Sequence, residues 1–507
     1  MDLITIIVKA YLGNRRRAMA RYAASTREIQ EKKLRSFLRS AARTEWGRKY
    51  GFSEIHSYEE FASRVPVCTY DDIQDDVNRM RNGAKDVLWK GRVRYFAKSS
   101  GTTAGRSKFI PVTKRGLKKM HLMGGHDVTA CYLASNPGAK VCKGHSVILC
   151  GSFDPDNSTP YSKAGDVSAI MTSSIPPFLR KLMKFYPPMD IALIKSFEEK
   201  REALAHFLSD KNVTSFSGVP SWWLSVLTRM LEVSGKNTLD EVWPNIELFA
   251  HGGVGFTPYR EIYKNLVPGG RMHFVETYNA SEGFFGVQND PADPAMLLMV
   301  DYDVFYEFIP VSSLGTGEEK PIPVWEVKPG VNYAMLITTS CGLWRYMIGD
   351  TVRFTQTSPC KFVITGRTHQ FINAFGEELI VENAEQGLKI ACEKTGAHVL
   401  EYTAAPVFMD SHAKCRHQWV VEFDTAPSSM EDFSRELDTA LRQINSDYDA
   451  KRFNDIVLDP LEVIQAREGL FHDWMKERGK LGGQHKVPRL ANNRRYIEPL
   501  IELNNKQ

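Results

Sequence analysis

The sequence predicts an α/β protein with a large N-terminal domain, built of mainly parallel sheets and flanking helices, and a smaller α+β C-terminal domain. Strands alternate with helices from Val93 to Glu276, which is typical of a parallel, doubly wound sheet. A chain of 507 residues exceeds what one core ordinarily supports, and a fresh run of helix and strand patterns begins after Gly366. We therefore expect domains at 1–368 and 369–507.

The composition is that of an ordinary globular protein, with 43% hydrophobic and 25% charged residues. The net charge of +5 is spread along the chain and does not favour a nucleic-acid partner. Eight cysteines without zinc-site spacing indicate buried thiols in a reducing compartment. No stretch approaches the ~20 apolar residues of a membrane span, and no secretory signal is recognised. We expect a cytoplasmic protein, monomeric or a simple homo-oligomer.

The elements follow from hydrophobic periodicity and from turn residues. An amphipathic helix over residues 3–24 is expected to dock on the domain. Further helices are predicted at 25–43, from 58, from 113, at 197–208, from 220, at 381–394 and at 430–448. Strands are predicted at 93–97, 109–112, 146–150, 213–217, 246–251, 271–276, 304–309, 333–338, 352–354, 399–409, 419–423 and 456–464. The strand-rich stretch after Met296 predicts a β-barrel-like portion of the large domain.

A loop of small residues runs from Ser99 to Lys108, between two predicted strands. Its glycines let backbone N–H groups approach a phosphate closely, and its hydroxyls and Lys108 add donors and charge. An ordinary turn is the alternative for such a cluster. The length of the loop and the basic residues at its end favour phosphate binding.

Two further segments follow predicted strands, where open α/β sheets bind ligands. In Tyr278 to Glu282, the ring could stack on a purine and Glu282 could bind Mg²⁺. Helix capping by Ser281 and Glu282 is the other interpretation. Asp350, after Gly349, is suited to accept both hydroxyls of a ribose, although a turn residue would also fit.

These segments, in this order, resemble motifs of the Gretchen Hagen-3 family of auxin-responsive acyl acid amido synthetases, which belong to the adenylate-forming enzymes. The phosphate-loop motif resembles residues 99 to 108, with Thr103 in place of its second serine. The Tyr-x-x-Ser-Glu motif resembles Tyr278 to Glu282, and the ribose motif is matched by Tyr346, Gly349 and Asp350. Met347 stands where the family has arginine, and Arg345 could take its place.

The resemblance extends to segments outside these motifs. His251 to Val254 is similar to the segment that borders the adenine, and Phe216 to Leu224 to the start of the helix that walls the acyl pocket. Gly366 to Gly376 is similar to the hinge of the superfamily, with His369 and Asn373 where a charged pair is more usual. This hinge implies a mobile C-terminal domain. The stretch around Lys486 is similar to one whose lysine contacts the adenylate.

The resemblance implies an ATP-dependent ligase that forms a C–N bond through an acyl-adenylate, with ATP and Mg²⁺ as cofactors and a carboxylic acid and an amino acid as partners. An acyl- or aryl-CoA ligase, or an inactive ATP-binding relative, is the alternative. The expected catalytic residues are Lys108, Lys486 and Glu282, and Glu282 is also the expected metal ligand. The expected nucleotide contacts are Ser99, Ser100, Gly101, Thr102, Thr103, Gly105, Gly252, Gly253, Val254, Thr277, Tyr278, Asn279, Ala280, Ser281, Tyr346, Asp350 and Arg367.

The acyl pocket is expected to be mainly apolar with one polar handle, which suits a carboxylic acid. Its candidate residues are His121, Met123, Val219, Trp222 and Trp223. Adjacent tryptophans at the start of a helix point to different faces, so at least one of the two is expected in the core.

Overall fold

The structure is a computed structural model of the chain. It describes residues 3–99, 108–182, 184–253, 256, 259–368, 371–372, 379–407, 416–445, 448–449, 452, 458–478, 487–491 and 493–506. Several predicted site residues lie outside these ranges, and they are Ser100, Gly101, Thr102, Thr103, Gly105, Val254 and Lys486, together with His369 and Asn373 of the hinge.

The helices are numbered in chain order over the described residues. They are α1 (Leu3–Ala20), α2 (Tyr22–Ala41), α3 (Glu45–Lys49), α4 (Tyr58–Arg64), α5 (Tyr70–Arg81), α6 (Lys114–Gly116), α7 (Leu122–Ser135), α8 (Val167–Ser173), α9 (Pro177–Leu182), α10 (Met189–Ala192), α11 (Phe197–Leu208), α12 (Pro220–Ser234), α13 (Leu239–Val242), α14 (Arg260–Leu266), α15 (Val381–Thr395), α16 (Met430–Ile444), α17 (Leu470–Glu477) and α18 (Ile497–Asn504). A π-helical turn at Leu117–His121 joins α6 to α7.

The strands are numbered in the same way. They are β1 (Tyr95–Ser99), β2 (Lys108–Val112), β3 (His145–Ile148), β4 (Phe153–Asp154), β5 (Lys163–Gly165), β6 (Phe185–Tyr186), β7 (Val213–Gly218), β8 (Leu248–Gly252), β9 (His273–Ala280), β10 (Gly283–Val287), β11 (Met296–Leu298), β12 (Val304–Pro310), β13 (Ile322–Pro323), β14 (Asn332–Thr339), β15 (Tyr346–Thr357), β16 (Cys360–Arg367), β17 (Phe371–Ile372), β18 (Leu379–Ile380), β19 (His398–Val407), β20 (Arg416–Thr425) and β21 (Glu462–Gln465).

A twelve-stranded sheet dominates the fold, in the order β13-β12-β14-β15-β16-β11-β10-β9-β8-β7-β3-β6. From β6 to β9 neighbouring strands pair in parallel, whereas the pairs of β10 with β9 and β11 are antiparallel. The parallel prediction therefore holds for one half of the sheet. The strands expected to form a β-barrel-like portion continue the same sheet, because β9 and β10 are joined by a tight turn that reverses the chain.

Three smaller sheets accompany it. One has the order β2-β1-β5-β4, one pairs β17 with β18, and the third has the order β19-β20-β21. In the first, β1 pairs antiparallel with β2, so that Ser99 lies opposite Lys108. This register brings the two ends of the predicted phosphate loop together.

Local sequence explains where the helices near the site begin and end. α11 starts after Ser196, whose hydroxyl accepts a hydrogen bond from the Glu199 backbone at 3.3 Å, as a capping serine does. α12 has Pro220 in its first turn and ends at Gly235, where φ is +64°; proline suits a helix start and glycine the left-handed end. The predicted bounds of α11 are confirmed.

The N-terminal helix ends at Ala20 and not at residue 24, and an ion-pair network docks it on the first part of the chain. Arg15 contacts Asp127 of α7 at 2.7 Å and Asp301 at 2.6 Å, and Tyr302 donates to Asp127 at 2.8 Å. In the part of the chain that the structure describes, no helix is long and apolar enough to cross a membrane.

By its contacts the chain divides into two compact units. The first unit comprises the described residues up to 348 together with 353–363. The second unit comprises 349–352 together with the described residues from 364 onward. In the first unit, a core of Val147, Phe216, Trp223, Phe249 and Tyr263 packs on the parallel half of the sheet. In the second, Tyr402, Trp419, Phe433 and Leu437 form a core between α15, α16 and the β19–β21 sheet.

Candidate active site

The ends of the predicted phosphate loop are held firmly in the structure. Ser99 closes β1 and Lys108 opens β2. The neighbouring Phe109 N–H donates to the Tyr70 hydroxyl at 3.0 Å, and Lys98 pairs with Asp154 at 2.6 Å. These contacts hold β1 and β2 in place on both sides of the hairpin.

The carboxyl end of β8 is packed too closely for any side chain. A Cβ on Gly252 would lie 2.4 Å from the Thr277 carbonyl oxygen, and Gly253 has φ of +83°. The Thr277 hydroxyl donates to the His251 carbonyl at 3.0 Å, which joins β8 to β9 at this edge. A Cβ on Gly253 would lie 3.5 Å from Val219. The segment predicted to border adenine is therefore adjacent to the start of α12, the predicted wall of the acyl pocket.

The Tyr278 to Glu282 motif forms the hairpin that joins β9 to β10. The strand predicted to stop at Glu276 continues to Ala280, and Ala280 pairs with Gly283 across the turn. The helix-capping interpretation of Ser281 and Glu282 is therefore wrong, because a hairpin follows and not a helix. The turn places Ser281 and Glu282 at the carboxyl edge beyond β9.

The side chains of this hairpin are largely enclosed. Tyr278 packs edge-on against Phe285, with ring centroids 4.9 Å apart, and is 6% exposed, so its stacking on a purine stays a prediction. Glu282 is 8% exposed. The buried Ser281 hydroxyl has no hydrogen-bond partner among the described residues. A buried hydroxyl without a partner at a predicted ligand motif is a donor that a phosphate oxygen would satisfy.

His121 lies in the π-helical turn before α7 and contacts the hairpin. Its Nδ1 is 3.2 Å from the Asn279 Oδ1, and the Asn279 Nδ2 lies 3.8 Å from the Met171 sulfur of α8. Burial lowers the pKa of His121 to about 4, although the Asn279 contact opposes the shift. His121 is therefore neutral and donates to the Asn279 amide. The histidine is fully buried, so it would act on a ligand through Asn279 and not by contact.

A second polar group lies beneath the same edge. His251 stacks on Phe256 at a centroid distance of 3.8 Å, is adjacent to Glu276 in the β8–β9 register, and both of its ring nitrogens lack partners among the described residues. Burial, and secondarily Arg260, lowers the pKa of His251 to about 3. Burial raises the pKa of Glu276 to about 7, against the opposing charge of Arg260.

The predicted tryptophans separate, as expected for neighbours at the start of a helix. Trp223 is fully buried in the core and its indole N–H donates to the Ser217 carbonyl at 2.8 Å. Trp222 is only partly buried and lies 6.1 Å from the Phe197 ring. Met123 is half-buried on α7. Of the two tryptophans, Trp222 is the one with surface left for a ligand.

Asp350 and Arg367 form an ion pair in the second unit, with the Arg367 Nε 2.7 Å from the Asp350 carboxylate. Asp350 lies inside the long strand β15 and not at a strand end, and so the turn interpretation is wrong. Gly349 has φ of +86°, and its carbonyl accepts from the Thr368 N–H at 2.8 Å. The strand was predicted too short because Gly349 interrupts its apolar pattern.

Arg345 is not available to replace the arginine that Met347 displaces. It is 4% exposed and pairs with Glu307 of β12 at 2.9 Å. Its remaining N–H groups donate to the backbone carbonyls of Ala62 and Val65. The expectation that Arg345 could contact a phosphate is wrong, because its guanidinium is buried and bonded to Glu307 and to backbone carbonyls within the core. Tyr346 beside it is also buried.

Sequence reasoning missed Glu276 and Met171. The available signal for Glu276 was a carboxylate directly after the apolar pair Phe274 and Val275 within a predicted strand, because carboxylates are uncommon in strands that pack into a sheet. Met171 gave no signal, since its role depends on how α8 packs against β9. Among the described residues no cluster of three or more His, Cys, Asp or Glu side chains could hold a metal ion.

Three domain models of one family match this chain. The GH3 N-terminal domain matches residues 15–208, the GH3 central domain 297–367 and the GH3 C-terminal domain 382–495. Indole-3-acetic acid-amido synthetase GH3.4 of Arabidopsis thaliana is 23% identical over 94% of this chain and 90% of its own length. Indole-3-acetic acid-amido synthetase GH3.8 of Oryza sativa subsp. indica is 24% identical over 94% of this chain and 89% of its own length.

Solved structures agree on the fold. The chain superposes on the GH3.15 acyl acid amido synthetase of Arabidopsis thaliana in complex with 2,4-DB with a TM-score of 0.79, covering 96% of this chain and 95% of that one at 19% identity. With 2-hydroxyisobutyryl-CoA ligase in complex with 2-HIB-AMP the TM-score is 0.61, covering 94% and 91% at 12% identity. The chain thus shares its fold with both of these solved structures, and it belongs to the GH3 family.

Proposed function

We propose that this protein is an ATP-dependent acyl acid amido synthetase, which converts a carboxylic acid to its acyl-adenylate and transfers the acyl group to the amine of an amino acid. The observation that carries the proposal is the position of Glu282 on the β9–β10 turn, at the carboxyl end of β9, beside which Gly252 of β8 allows the two strands to pack closely. Ligands bind at this edge of open α/β sheets. The GH3 relatives named amido synthetases support the reaction type.

In the first step a carboxylate oxygen of the acid attacks the α-phosphorus of ATP, and the bond to pyrophosphate breaks. Two anions must be held in line, so catalysis rests on positioning and on neutralising charge. We assign this work to Lys108 at the base of the phosphate loop and to the Ser281 hydroxyl on the hairpin turn. Ser100, Gly101, Thr102, Thr103, Gly105, Val254 and Lys486 lie outside the described residues, and their roles stay predictions.

Glu282 fits the magnesium ligand that this chemistry needs. Mg²⁺ is commonly held by one or two carboxylates together with phosphate oxygens, without a full protein cage. When bound, Mg²⁺ would withdraw charge from the phosphate oxygens.

Asp350 is the proposed partner of the ribose hydroxyls. Its carboxylate is 16% exposed and is oriented by Arg367 at 2.7 Å. An oriented carboxylate can accept hydrogen bonds from both hydroxyls, and charge-assisted hydrogen bonds are about twice as strong as neutral ones. The main role of Arg367 would be to hold the Asp350 carboxylate in this orientation.

The acid would lie between α12 and α8, close to Val219, which is adjacent to Gly253, and to Asn279, whose amide contacts Met171. Trp222, which is only partly buried at the start of α12, is a further candidate for its wall. Neutral His121 would fix the Asn279 amide through its Nδ1–H, leaving an amide N–H group of Asn279 to donate to an oxygen of the acid. In the second step the amine nitrogen attacks the acyl carbon, the bond to AMP breaks and the ammonium proton is lost.

A product assay tests the function directly. The full chain is incubated with ATP, Mg²⁺ and a panel of aromatic, indolic and fatty acids, together with mixed amino acids and coenzyme A, and the products are identified by mass spectrometry. We expect an acyl amide, AMP and pyrophosphate. The likeness to a CoA ligase fold makes a thioester the specific alternative, and a thioester as sole product would refute amide synthesis. ATP binding without pyrophosphate release on the whole panel would point to an inactive relative.

A further inference from the structure

An apolar surface stands out on the short helix α9. Phe178 is 69% exposed, Leu182 58% and Leu179 36%. Together they account for three of the five large hydrophobic side chains that are exposed among the described residues. Single exposed hydrophobic residues are normal, but a contiguous group usually marks a contact surface. We call these three side chains the α9 surface.

A cavity of about 430 Å³ opens beside the α9 surface. Its walls include Ile175, Phe185, Tyr186 and Met189, and His145 stacks on Tyr186 at a centroid distance of 4.1 Å. The cavity lies at the edge strand β6 and at the start of β3, whereas the candidate active site lies at the carboxyl ends of the strands. The two sites are therefore separate features of the same unit.

Three cations line this cavity without an opposing carboxylate. Arg180 donates to the Pro187 carbonyl at 2.7 Å and to the Thr172 carbonyl at 3.3 Å, and Lys184 donates to a backbone carbonyl at 3.1 Å. Among the described residues, no carboxylate forms an ion pair with Arg180, Lys181 or Lys184. Burial lowers the pKa of Arg180. Carbonyl oxygens orient these groups but leave their charge uncompensated, so the cavity is suited to an anion.

We propose that the α9 surface docks the protein on an anionic membrane, with its apolar side chains in the acyl boundary and a lipid headgroup anion in the cavity. Interfacial binding requires apolar side chains beside basic ones, and its strength grows with buried apolar area and with anionic lipid. A second copy of this chain would bring the same three cations together, which charge repulsion disfavours. The inference does not depend on the proposed enzymatic reaction.

Flotation of the full chain with vesicles tests the proposal. One set is pure phosphatidylcholine, and the other contains equal parts phosphatidylcholine and phosphatidylserine. We expect the protein to float with the anionic vesicles only, and to be released as chloride is raised, because surface charges are screened beyond a Debye length. Equal flotation with both sets, or none with either, would overturn the proposal.

Two variants assign the contact to α9. Phe178→Ser with Leu182→Ser should weaken binding to anionic vesicles about tenfold or more, through lost apolar burial. Lys181→Glu should weaken binding to anionic vesicles about fivefold or more, because one basic residue near an anionic membrane surface strengthens binding about fivefold. The matched controls are Tyr161→Ser with Ile364→Ser, which removes the other exposed hydrophobic side chains, and Lys328→Glu, an exposed lysine elsewhere. Equal losses in the controls would contradict the assignment.

Competition and oligomeric state test what occupies the cavity and the α9 surface. Inorganic phosphate, compared with chloride at matched ionic strength, should release the protein from anionic vesicles more effectively, because it competes with the headgroup anion for the cavity. Equal release by the two salts would contradict a headgroup anion in the cavity. Light scattering should give the same oligomeric state for the parent chain and the α9 variant. A dimer that is lost in the α9 variant would assign this surface to a second copy of the chain. The variants should retain the urea unfolding midpoint and the ATP–pyrophosphate exchange rate of the parent chain.

Discussion

The two halves of the twelve-stranded sheet use their polar side chains differently. In the parallel half, His251 of β8, Thr277 of β9 and the Ser281–Glu282 turn lie at one edge of the sheet. The His251 ring nitrogens and the Ser281 hydroxyl have no hydrogen-bond partner among the described residues. In the antiparallel half, Glu307 of β12 and Arg345 beside β14 are buried and bonded to each other. Parallel strands bring the same ends together, so their unpaired groups converge where a ligand can satisfy them.

The largest expected effect concerns the antiparallel half. Arg345→Met would leave the Glu307 carboxylate buried without its ion-pair partner, and removing one member of a buried pair costs about 3–5 kcal/mol. Urea unfolding followed by tryptophan fluorescence measures the loss. The control is Arg27→Met, which removes an exposed pair with Glu31 and should cost less than about 1 kcal/mol. Equal losses in both variants would contradict a structural role for Arg345.

The next effect concerns catalysis in the parallel half. Glu282→Gln should slow ATP–pyrophosphate exchange about 10²–10³-fold, the scale of losing one electrostatic group at a reacting phosphate. The unfolding midpoint should change little, because the substitution keeps the shape of the side chain. Glu261→Gln on exposed α14 serves as the control. A normal exchange rate in the Glu282 variant would remove this residue from the metal site.

Buried histidines make stability depend on pH. Because burial lowers the pKa of His251 to about 3, against about 6.5 in the unfolded chain, the unfolded state binds more protons between those values. Stability from this group is present above pH 6.5 and is lost as the pH falls. From pH 7 to pH 5 the parent chain should lose about 2 kcal/mol more than His251→Phe. The exposed His56→Gln variant is the control, and an equal difference from the parent in that variant would contradict the assignment to His251.

The smallest expected effect concerns nucleotide affinity. Asp350→Asn should raise the KM for ATP about tenfold with a smaller change in kcat, because a charge-assisted hydrogen bond contributes about 1.5–3 kcal/mol. Asp424→Asn, an exposed carboxylate in the same unit, should change neither constant. An unaltered KM for ATP in the Asp350 variant would contradict its assignment to the ribose.

Periodicity predicted those elements whose ends carry their own turn residues. The α11 helix has a capping serine, and its bounds are those of the prediction. The β15 strand was missed over most of its length because Gly349 adopts φ of +86° inside it, and glycine at such a position indicates a turn when only the sequence is known. The local sequence pattern cannot show that one strand continues through a glycine, because the pairing with neighbouring strands decides it.

Site residues were predictable as motifs but not as contacts. The Tyr278–Glu282 segment was recognised, while its hairpin geometry depends on β10 pairing back onto β9. Arg345 looked available because its partner Glu307 is distant in sequence. The contact between His121 and Asn279 requires a π-helical turn, which depends on packing and is not visible in the sequence.

That π-helical turn has a consequence for insertions and deletions. Each residue of an α-helix turns the chain by about 100°, and a π-helical turn holds one residue more than the α-helix can accommodate. Removing one residue from this turn, such as the exposed Lys118, would allow a regular helix whose two ends stay in phase. Removing one residue from the middle of α7 would instead turn the residues after it by about 100° relative to His121.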